Sequence, residues 1–240
     1  MSSTVKSPNQ KSNGFLWAVI AVVVIAAVVI GYIIISGQSK SKVEFEGQVE
    51  PVAMSQQIDD EAFKLTAEDS AKTDDKTPKV EIYEDFLCPH CAELAVADKD
   101  QLKDAIEAGD MDVSIRTMSF MDRGDEDGQS HHILAAVYAV GESGDAELYW
   151  NYRQYLLEHQ QDIYKQWGDE ELADLAGQMG ADGDVVSNIR DGKFTEEARQ
   201  FGKDNEDRLR DTEGGVSSPR IFVDGKEIEL SSDWVEKTRR

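Results

Sequence analysis

The spacing of apolar residues changes several times along the chain, and the order of these changes predicts its elements. An uncharged run of 21 residues covers 15–35, which at the helical rise is long enough to cross a bilayer. β-branched and aromatic residues predict a strand over 79–83, and alternation predicts another over 111–116. Residues 89–108 favour a helix that Gly109 ends. The order strand, helix, strand predicts an α/β domain.

Helical periodicity dominates the chain from Ser130 to Asp211. Ser130 is expected to cap the first of these helices, and Asp169 and Thr195 are expected to begin later ones. Because this block separates the strand patterns, it predicts an α-helical subdomain inserted at about 128–192.

Weaker strand and turn signals lie near both ends of the domain. Residues 220–223 and 226–230 flank Asp224–Gly225, a dipeptide typical of two-residue hairpin turns. Alternation over 43–49 suggests a short strand, and residues 61–65 suggest a turn of helix. The carboxyl end is therefore expected to add a hairpin to the sheet.

The apolar run sets the expected organisation of the chain. It lacks the small-residue cleavage site of a signal peptide, so we expect an uncleaved anchor rather than a removed leader. Lysines flank it on both sides, so the positive-inside rule does not orient it. A short amino-terminal tail favours placing the folded domain outside the cytoplasm, and so does its single Cys-x-x-Cys pair, Cys88 and Cys91, because such pairs are useful outside the reducing cytosol. The expected parts are a cytoplasmic tail (1–14), a transmembrane anchor (15–35), a linker and strand region (36–77) and a folded domain (78–240).

Charge is distributed unevenly between these parts. The first 42 residues contain four lysines and no acidic residue, so the rest of the chain has a formal net charge of −27. Such a domain repels phosphate backbones and anionic headgroups, which argues against nucleic acid as a partner. Solubility explains this charge better than a cation site does, and we expect neither a metal nor a cofactor.

Both cysteines of the chain, Cys88 and Cys91, fall where the first strand pattern gives way to the helix. Unpaired backbone N–H groups and the helix dipole lower the pKa of a thiol at a helix N-terminus. Cys88 is therefore the expected nucleophile, and Cys91, one turn later, the resolving thiol. Pro89 suits the first helical turn, and His90 can place an imidazole beside the sulfur.

The cysteine pair has two alternative roles, a structural disulfide and part of a zinc site. A structural disulfide that closes so short a loop would remove little chain entropy. A zinc site would need two more ligands, and His131 and His132 are better explained as surface or capping residues. A redox role is the favoured interpretation.

Two motifs together resemble the DsbA family of thiol-disulfide oxidoreductases, and more narrowly its membrane-anchored actinobacterial members. The first is Cys88-Pro89-His90-Cys91 in the setting of residues 83–87, and the second is the segment 215–225. The resemblance covers about residues 78 to 230. It implies a thioredoxin fold with a helical domain inserted after the second strand.

The resemblance also assigns roles to individual residues. It implies that Pro219 is cis and packs against the active-site disulfide, and that the backbone of Ser218 receives the substrate chain. Related proteins often bury an acid six residues before the first cysteine, where this chain has Ile82. Glu84, two residues later, is a candidate proton acceptor, with a surface glutamate as the alternative.

These observations lead to one expected function and two alternatives. We expect a monomeric extracytoplasmic thiol oxidase that introduces disulfides into unfolded exported proteins with free thiols and needs a membrane quinone-linked reoxidase, a partner implied by the family. A disulfide reductase or isomerase on the same fold is the closest alternative. A membrane-tethered chaperone without redox activity is the other.

Overall fold

The computed structural model describes residues 43–240, together with Val19, Ile20, Val22 and Val23, which are helical. Residues 43–240 form one compact unit. In the part of the chain that is described, no helix is long and apolar enough to cross a membrane. The anchor expected over 15–35 lies, apart from those four residues, outside the described residues.

Six strands of residues 43–240 form one sheet. They are β1 (Met54–Asp59), β2 (Ala62–Ala67), β3 (Lys79–Asp85), β4 (Asp112–Met118), β5 (Arg220–Val223) and β6 (Lys226–Glu227). Their order across the sheet is β1-β2-β4-β3-β5-β6, with β3 and β4 parallel and the other neighbours antiparallel. Helix α1 (Pro89–Ala108) connects the parallel pair. This β-α-β unit carries the cysteines.

A helical block separates β4 from the carboxyl-terminal hairpin. Its helices are α2 (Gln129–Gly141), α3 (Ala146–Glu158), α4 (Gln160–Ile163), α5 (Asp169–Gln178) and α6 (Gly183–Arg190), and α7 (Thr195–Arg210) and α8 (Trp234–Thr238) follow. The predicted helical insertion in a thioredoxin-like sheet is confirmed. Asp169 and Thr195 begin helices as predicted.

The ends of the β-α-β unit follow from residue chemistry. Val80 and Ile82 are buried on β3, and from Tyr83 onward the strand is buried on both faces as it approaches the cysteines. Helix α1 ends at Gly109, which has the left-handed φ of 76°. A Cβ there would also lie 2.6 Å from the carbonyl oxygen of Lys72. Glycine is therefore required for both conformation and space.

Two element predictions near the start of the domain are wrong. Residues 43–49 form no strand. They lie against the helical block without regular secondary structure. Phe45 N–H donates to Gln178 Oε1 at 2.9 Å, and Gln178 Nε2 donates to the Val43 carbonyl at 3.0 Å. Residues 61–65 are not helical, since most of them belong to β2.

The strand β2 was missed because its turn lacks glycine. Asp60 and Glu61 form the two-residue connection between β1 and β2, and both have left-handed φ values, 52° and 51°. Such turns normally contain glycine or asparagine. Here Arg116 of β4 stabilises the turn by donating to the Asp60 carboxylate at 2.9 Å and to the Asp60 carbonyl. Tertiary contacts therefore replace the missing local signal.

Two smaller boundaries also differ from expectation. Ser130 lies inside α2 and does not cap it, because the Asp122 carboxylate accepts from the backbone N–H groups of Ser130 and His131 at 2.9 and 2.8 Å. The hairpin turn at Asp224–Gly225 is present, with both φ values positive, but its second strand is only Lys226–Glu227.

Candidate active site

The cysteine motif sits at the junction of β3 and α1, as expected. Cys88 is the N-cap residue of α1 and Pro89 is its first helical residue. Both cysteines are free thiols, with Cys88 5% and Cys91 2% exposed. The Cys91 N–H donates to the Cys88 carbonyl at 3.0 Å, so the motif forms a closed first turn.

The two thiols have opposite acidities. The Cys91 thiol, the Ser218 contact and the backbone N–H groups of Cys91 and His90 lower the pKa of Cys88 to about 5, against the opposing effect of burial. Burial and the neighbouring Cys88 raise the pKa of Cys91. At neutral pH, Cys88 is therefore the thiolate and Cys91 the thiol.

The segment before β5 lies against this pair. The Ser218–Pro219 peptide bond is cis, as the resemblance implies. The Cys88 Sγ lies 3.4 Å from the Ser218 carbonyl oxygen, to which it donates when it is a thiol, and Pro219 borders a small cavity together with Cys91. The structure thus brings both expected substrate-binding residues to the two cysteines.

His90 is an exposed residue of the motif. Its side chain is 75% exposed and its Nδ1 lies 3.0 Å from Glu93 Oε2. The hydrogen bond to Glu93 raises the pKa of His90, with a smaller contribution from Cys88. The backbone N–H of His90 stabilises the Cys88 thiolate, whereas its ring pairs with Glu93.

Glu84 is buried behind the motif, so the surface alternative is wrong. It is 2% exposed, and it forms a two-bond ion pair with Arg153 of α3, which is 3% exposed at the side chain. Arg153 Nε donates to Glu84 Oε1 at 2.9 Å, and Arg153 Nη2 donates to Oε2. Glu84 and Ile82 line the same cavity beside Cys91. The proton-acceptor role remains a prediction.

Sequence reasoning missed Asp98 and Arg153, which border that cavity. Asp98 is 5% exposed and accepts from Trp234 Nε1 at 3.0 Å. Burial raises the pKa of Asp98 to about 6. The available signal was spacing, since Asp98 follows Cys91 by seven residues and shares its face of the helix. No pattern in the sequence pairs Arg153 with Glu84.

Asp85 holds the motif from behind. Asp85 accepts from Leu87 N–H at 2.8 Å, Ser130 Oγ at 2.6 Å and Met121 N–H at 3.0 Å. Burial raises the pKa of Asp85 to about 7, against these bonds. It ties the end of β3 to α2 and to the loop that precedes α2.

Gln160 of the helical block supports the motif from the other side. Its Nε2 donates to the Phe86 carbonyl at 2.6 Å and to the Cys88 carbonyl at 3.0 Å. Because Gln160 is 8% exposed, these carbonyls would otherwise lose a donor away from water. The inserted helices therefore help to fix the backbone of the motif.

The two histidines at the start of α2 contact carboxylates. His131 Nδ1 lies 2.9 Å from Asp122 Oδ2, and His132 Nδ1 lies 2.9 Å from Asp169 Oδ1. The bond to Asp169 raises the pKa of His132 to about 9. Among the residues described, no group of three or more His, Cys, Asp and Glu side chains is placed to hold a metal ion.

Comparison with known proteins relates this architecture to a family. A family model described as thioredoxin matches residues 66–239. The chain is 42% identical to MdbA, a thiol-disulfide oxidoreductase from Corynebacterium diphtheriae, covering 79% of this chain and 95% of that chain with a TM-score of 0.75. It is 37% identical to MdbA from Corynebacterium matruchotii, covering 80% and 94% with a TM-score of 0.75. No match was found among curated protein sequences.

A more distant structure shares the fold. DsbA from Mycobacterium tuberculosis is 20% identical, covers 71% of this chain and 86% of its own, and has a TM-score of 0.57. The extent of the family match and the identity to the two corynebacterial proteins agree with the cysteine motif and with the sheet order. The chain belongs to the thioredoxin family and, within it, to the thiol-disulfide oxidoreductases of the MdbA type.

Proposed function

We propose that this protein is an extracytoplasmic thiol oxidase that introduces disulfide bonds into exported proteins. The observation that carries the proposal is the contrast between Cys88, whose pKa is lowered to about 5, and Cys91, whose pKa is raised. A stabilised Cys88 thiolate stabilises the reduced form, which makes the disulfide a stronger oxidant. The enzyme therefore gives its disulfide to a substrate rather than receiving one.

The reaction conserves sulfur, protons and electrons at each step. A substrate thiolate attacks Cys88 Sγ of the disulfide, and Cys91 leaves and is protonated. A second substrate thiolate then attacks the substrate sulfur of the mixed disulfide, and Cys88 leaves as the thiolate. The substrate is oxidised by two electrons and the enzyme is reduced by two.

An enzyme that donates its disulfide needs two partners, a substrate with free thiols and an enzyme that reoxidises the reduced cysteine pair. A substrate chain that reaches Cys88 passes Ser218, whose carbonyl is 3.4 Å from the sulfur, and can pair with that backbone as an added strand. We propose that the clients are unfolded exported proteins with free thiols and that a membrane quinone-linked enzyme reoxidises the reduced pair. The segment 15–35 would hold the monomeric domain, by one span, at the outer face of the cell membrane.

The equilibrium redox potential of the purified protein tests the proposal. We expect a potential well above that of thioredoxin, about −270 mV, and above the glutathione couple near about −220 mV. It is measured in glutathione buffers by trapping the thiols. A potential close to that of thioredoxin would contradict the oxidase role and favour the reductase.

Serine variants separate redox catalysis from a chaperone role. Cys88→Ser should abolish oxidative folding of a reduced client, because no attackable sulfur remains at the N-cap. Cys91→Ser should accumulate a mixed disulfide through Cys88 when a disulfide compound is added, because the resolving thiol is missing. Mass spectrometry distinguishes the two. Full folding activity in Cys88→Ser would support the chaperone instead.

A further inference from the structure

We propose that Asp98 exchanges the proton of the Cys91 thiol through one water molecule in the cavity behind the cysteine motif. The inference rests on the disulfide exchange proposed above, and it adds a named proton route to that reaction. It moves the proton-acceptor role from Glu84 to a residue of helix α1.

The need for a proton route follows from the burial of Cys91. The residue is 2% exposed, and burial raises the pKa of its thiol. Cys91 must gain a proton when it leaves the disulfide and must lose it when the pair is reoxidised. A buried sulfur with a raised pKa cannot make either change quickly unless a proton donor and acceptor is near.

The cavity supplies the place for this exchange. It has a volume of about 10 Å³ and is lined by Ile82, Glu84, Cys91, Leu94, Ala95, Asp98, Arg153 and Pro219. A cavity of that size holds about one water molecule if polar partners surround it. Arg153 Nη1 is buried and has no hydrogen-bond partner in the described part of the chain. It is a ready donor to such a water.

Helix geometry sets the separation between Cys91 and Asp98, which one water molecule would bridge. Cys91, Ala95 and Asp98 are related by steps of four and three residues, so they lie on one face of α1. Seven residues correspond to about 10 Å between the two Cα atoms, and the Asp98 side chain leans back toward Cys91. The small side chain of Ala95 lies between them. This separation favours a bridging water over direct contact.

The ion pair makes Glu84 the poorer of the two carboxyl groups for this task. Both of its oxygens accept from Arg153, and both residues are nearly fully buried. A proton on Glu84 would leave the guanidinium without its counter-charge in the protein interior, which is strongly unfavourable. Glu84 therefore serves to hold Arg153 in place.

Asp98 can accept a proton at much lower cost. The donor to its Oδ2 is the neutral indole of Trp234, 3.0 Å away, and Arg153 is already neutralised by Glu84. The carboxyl groups of Glu84 and Asp98 are both buried near the one guanidinium of Arg153. Since Glu84 already pairs with it, a proton on Asp98 is favoured. Burial raises the pKa of Asp98 to about 6, with Arg153 lowering it and Glu84 raising it further. Tyr149 stays protonated nearby, because burial raises its pKa well above the ordinary value.

The proposed transfers balance. During substrate oxidation, Cys91 leaves the disulfide as a thiolate and takes a proton from the water, which is replenished by protonated Asp98. During reoxidation, the Asp98 carboxylate takes a proton from the Cys91 thiol through the water, and the thiolate attacks the mixed disulfide at Cys88. During substrate oxidation Asp98 is then reprotonated from bulk solvent, and during reoxidation it releases its proton to bulk solvent.

Stopped-flow oxidation of the reduced full-length protein by oxidised glutathione isolates this step. At high glutathione concentration the rate reaches a plateau set by the attack of Cys91 on the Cys88 mixed disulfide. We expect the wild-type plateau to rise with pH through an inflection near 6. In Asp98→Asn the inflection should disappear and the plateau at pH 7 should fall about a hundredfold, the lower end of the usual range for a lost general base.

Two controls make the result specific. Asp104→Asn is the same substitution at an exposed position of the same helix, and its profile should match the wild type. In Asp98→Asn the second-order attack of Cys88 on glutathione should be unchanged, because Cys88 does not line the cavity that Asp98 borders. A retained inflection with a plateau within twofold of the wild type would overturn the inference.

A measurement on the wild type covers the case in which Asp98→Asn does not fold. Carbon NMR of the Asp98 carboxyl group should show titration near pH 6, whereas titration below about pH 4, the ordinary range for aspartate, would overturn the proposal. The redox potential tests a separate point. A low potential would contradict the oxidase function and leave this pH profile intact, and a lost profile with a high potential would contradict only the role of Asp98.

Discussion

Two charged pairs lie on opposite sides of the cysteine turn and differ in burial. In front, His90 and Glu93 are 3.0 Å apart with side chains 75% and 74% exposed. Behind, Arg153 and Glu84 form two hydrogen bonds with side chains 3% and 2% exposed. A basic side chain therefore pairs with a glutamate once in water and once in the protein interior.

The difference shows that the two sides of the turn have separate tasks. A solvent-exposed ion pair contributes little, because water screens it and both side chains lose conformational freedom. A buried pair gives a modest net gain when intact, but it is costly to break, because one charge remains without its partner. We infer that the front pair changes the pKa of His90 at the surface, whereas the back pair fixes the structure that surrounds Cys91.

Breaking the back pair should have the largest effect. Glu84→Gln leaves Arg153 buried without a counter-charge and should lower the free energy of unfolding by about 3–5 kcal/mol. Urea denaturation measures this change. The double variant Glu84→Gln, Arg153→Met should recover a substantial part of the loss, because no unpaired charge then remains. A single variant as stable as the wild type would show that the pair is not structurally important.

Removing the support of Gln160 should have an intermediate effect. Gln160→Ala removes the side-chain donor to both carbonyls, of which Cys88 keeps the Cys91 N–H and Phe86 loses its donor, and should cost about 1–3 kcal/mol in unfolding free energy. It should also slow disulfide exchange at Cys88, because the N-terminal turn is held less firmly. The exposed neighbour Gln161 provides a matched Gln161→Ala control. Equal stability of the two variants would contradict the role of Gln160.

Breaking the front pair should have the smallest effect. The hydrogen bond that the His90 ring donates to Glu93 is the largest cause of the raised pKa of His90, so Glu93→Gln should move that pKa down toward the ordinary histidine value. NMR titration of the imidazole measures it. The titration of Cys88, followed by thiolate absorbance, should shift far less than that of His90. A large shift of Cys88 would mean that the His90 ring controls the thiolate directly.

Local signals were sufficient for much of the fold. The β-α-β unit, the glycine that ends α1, the helical insertion and the Asp224–Gly225 turn each depend on residues close together in sequence. Where a turn used unusual residues, as at Asp60 and Glu61, the prediction was wrong. There the distant Arg116 supplies the stabilising hydrogen bonds.

The same division applies to the active site. Residue order alone is enough to place Cys88 at a helix N-terminus, Pro89 in the first turn and Cys91 one turn later, because helix geometry over four residues decides these positions. Long-range packing is what pairs Glu84 with Arg153, brings Asp98 to the cavity that Cys91 borders, and places Gln160 against the motif. These contacts join residues that are far apart in the chain, such as Glu84 with Arg153 and Phe86 with Gln160, and no local periodicity reports where packing will bring such residues together.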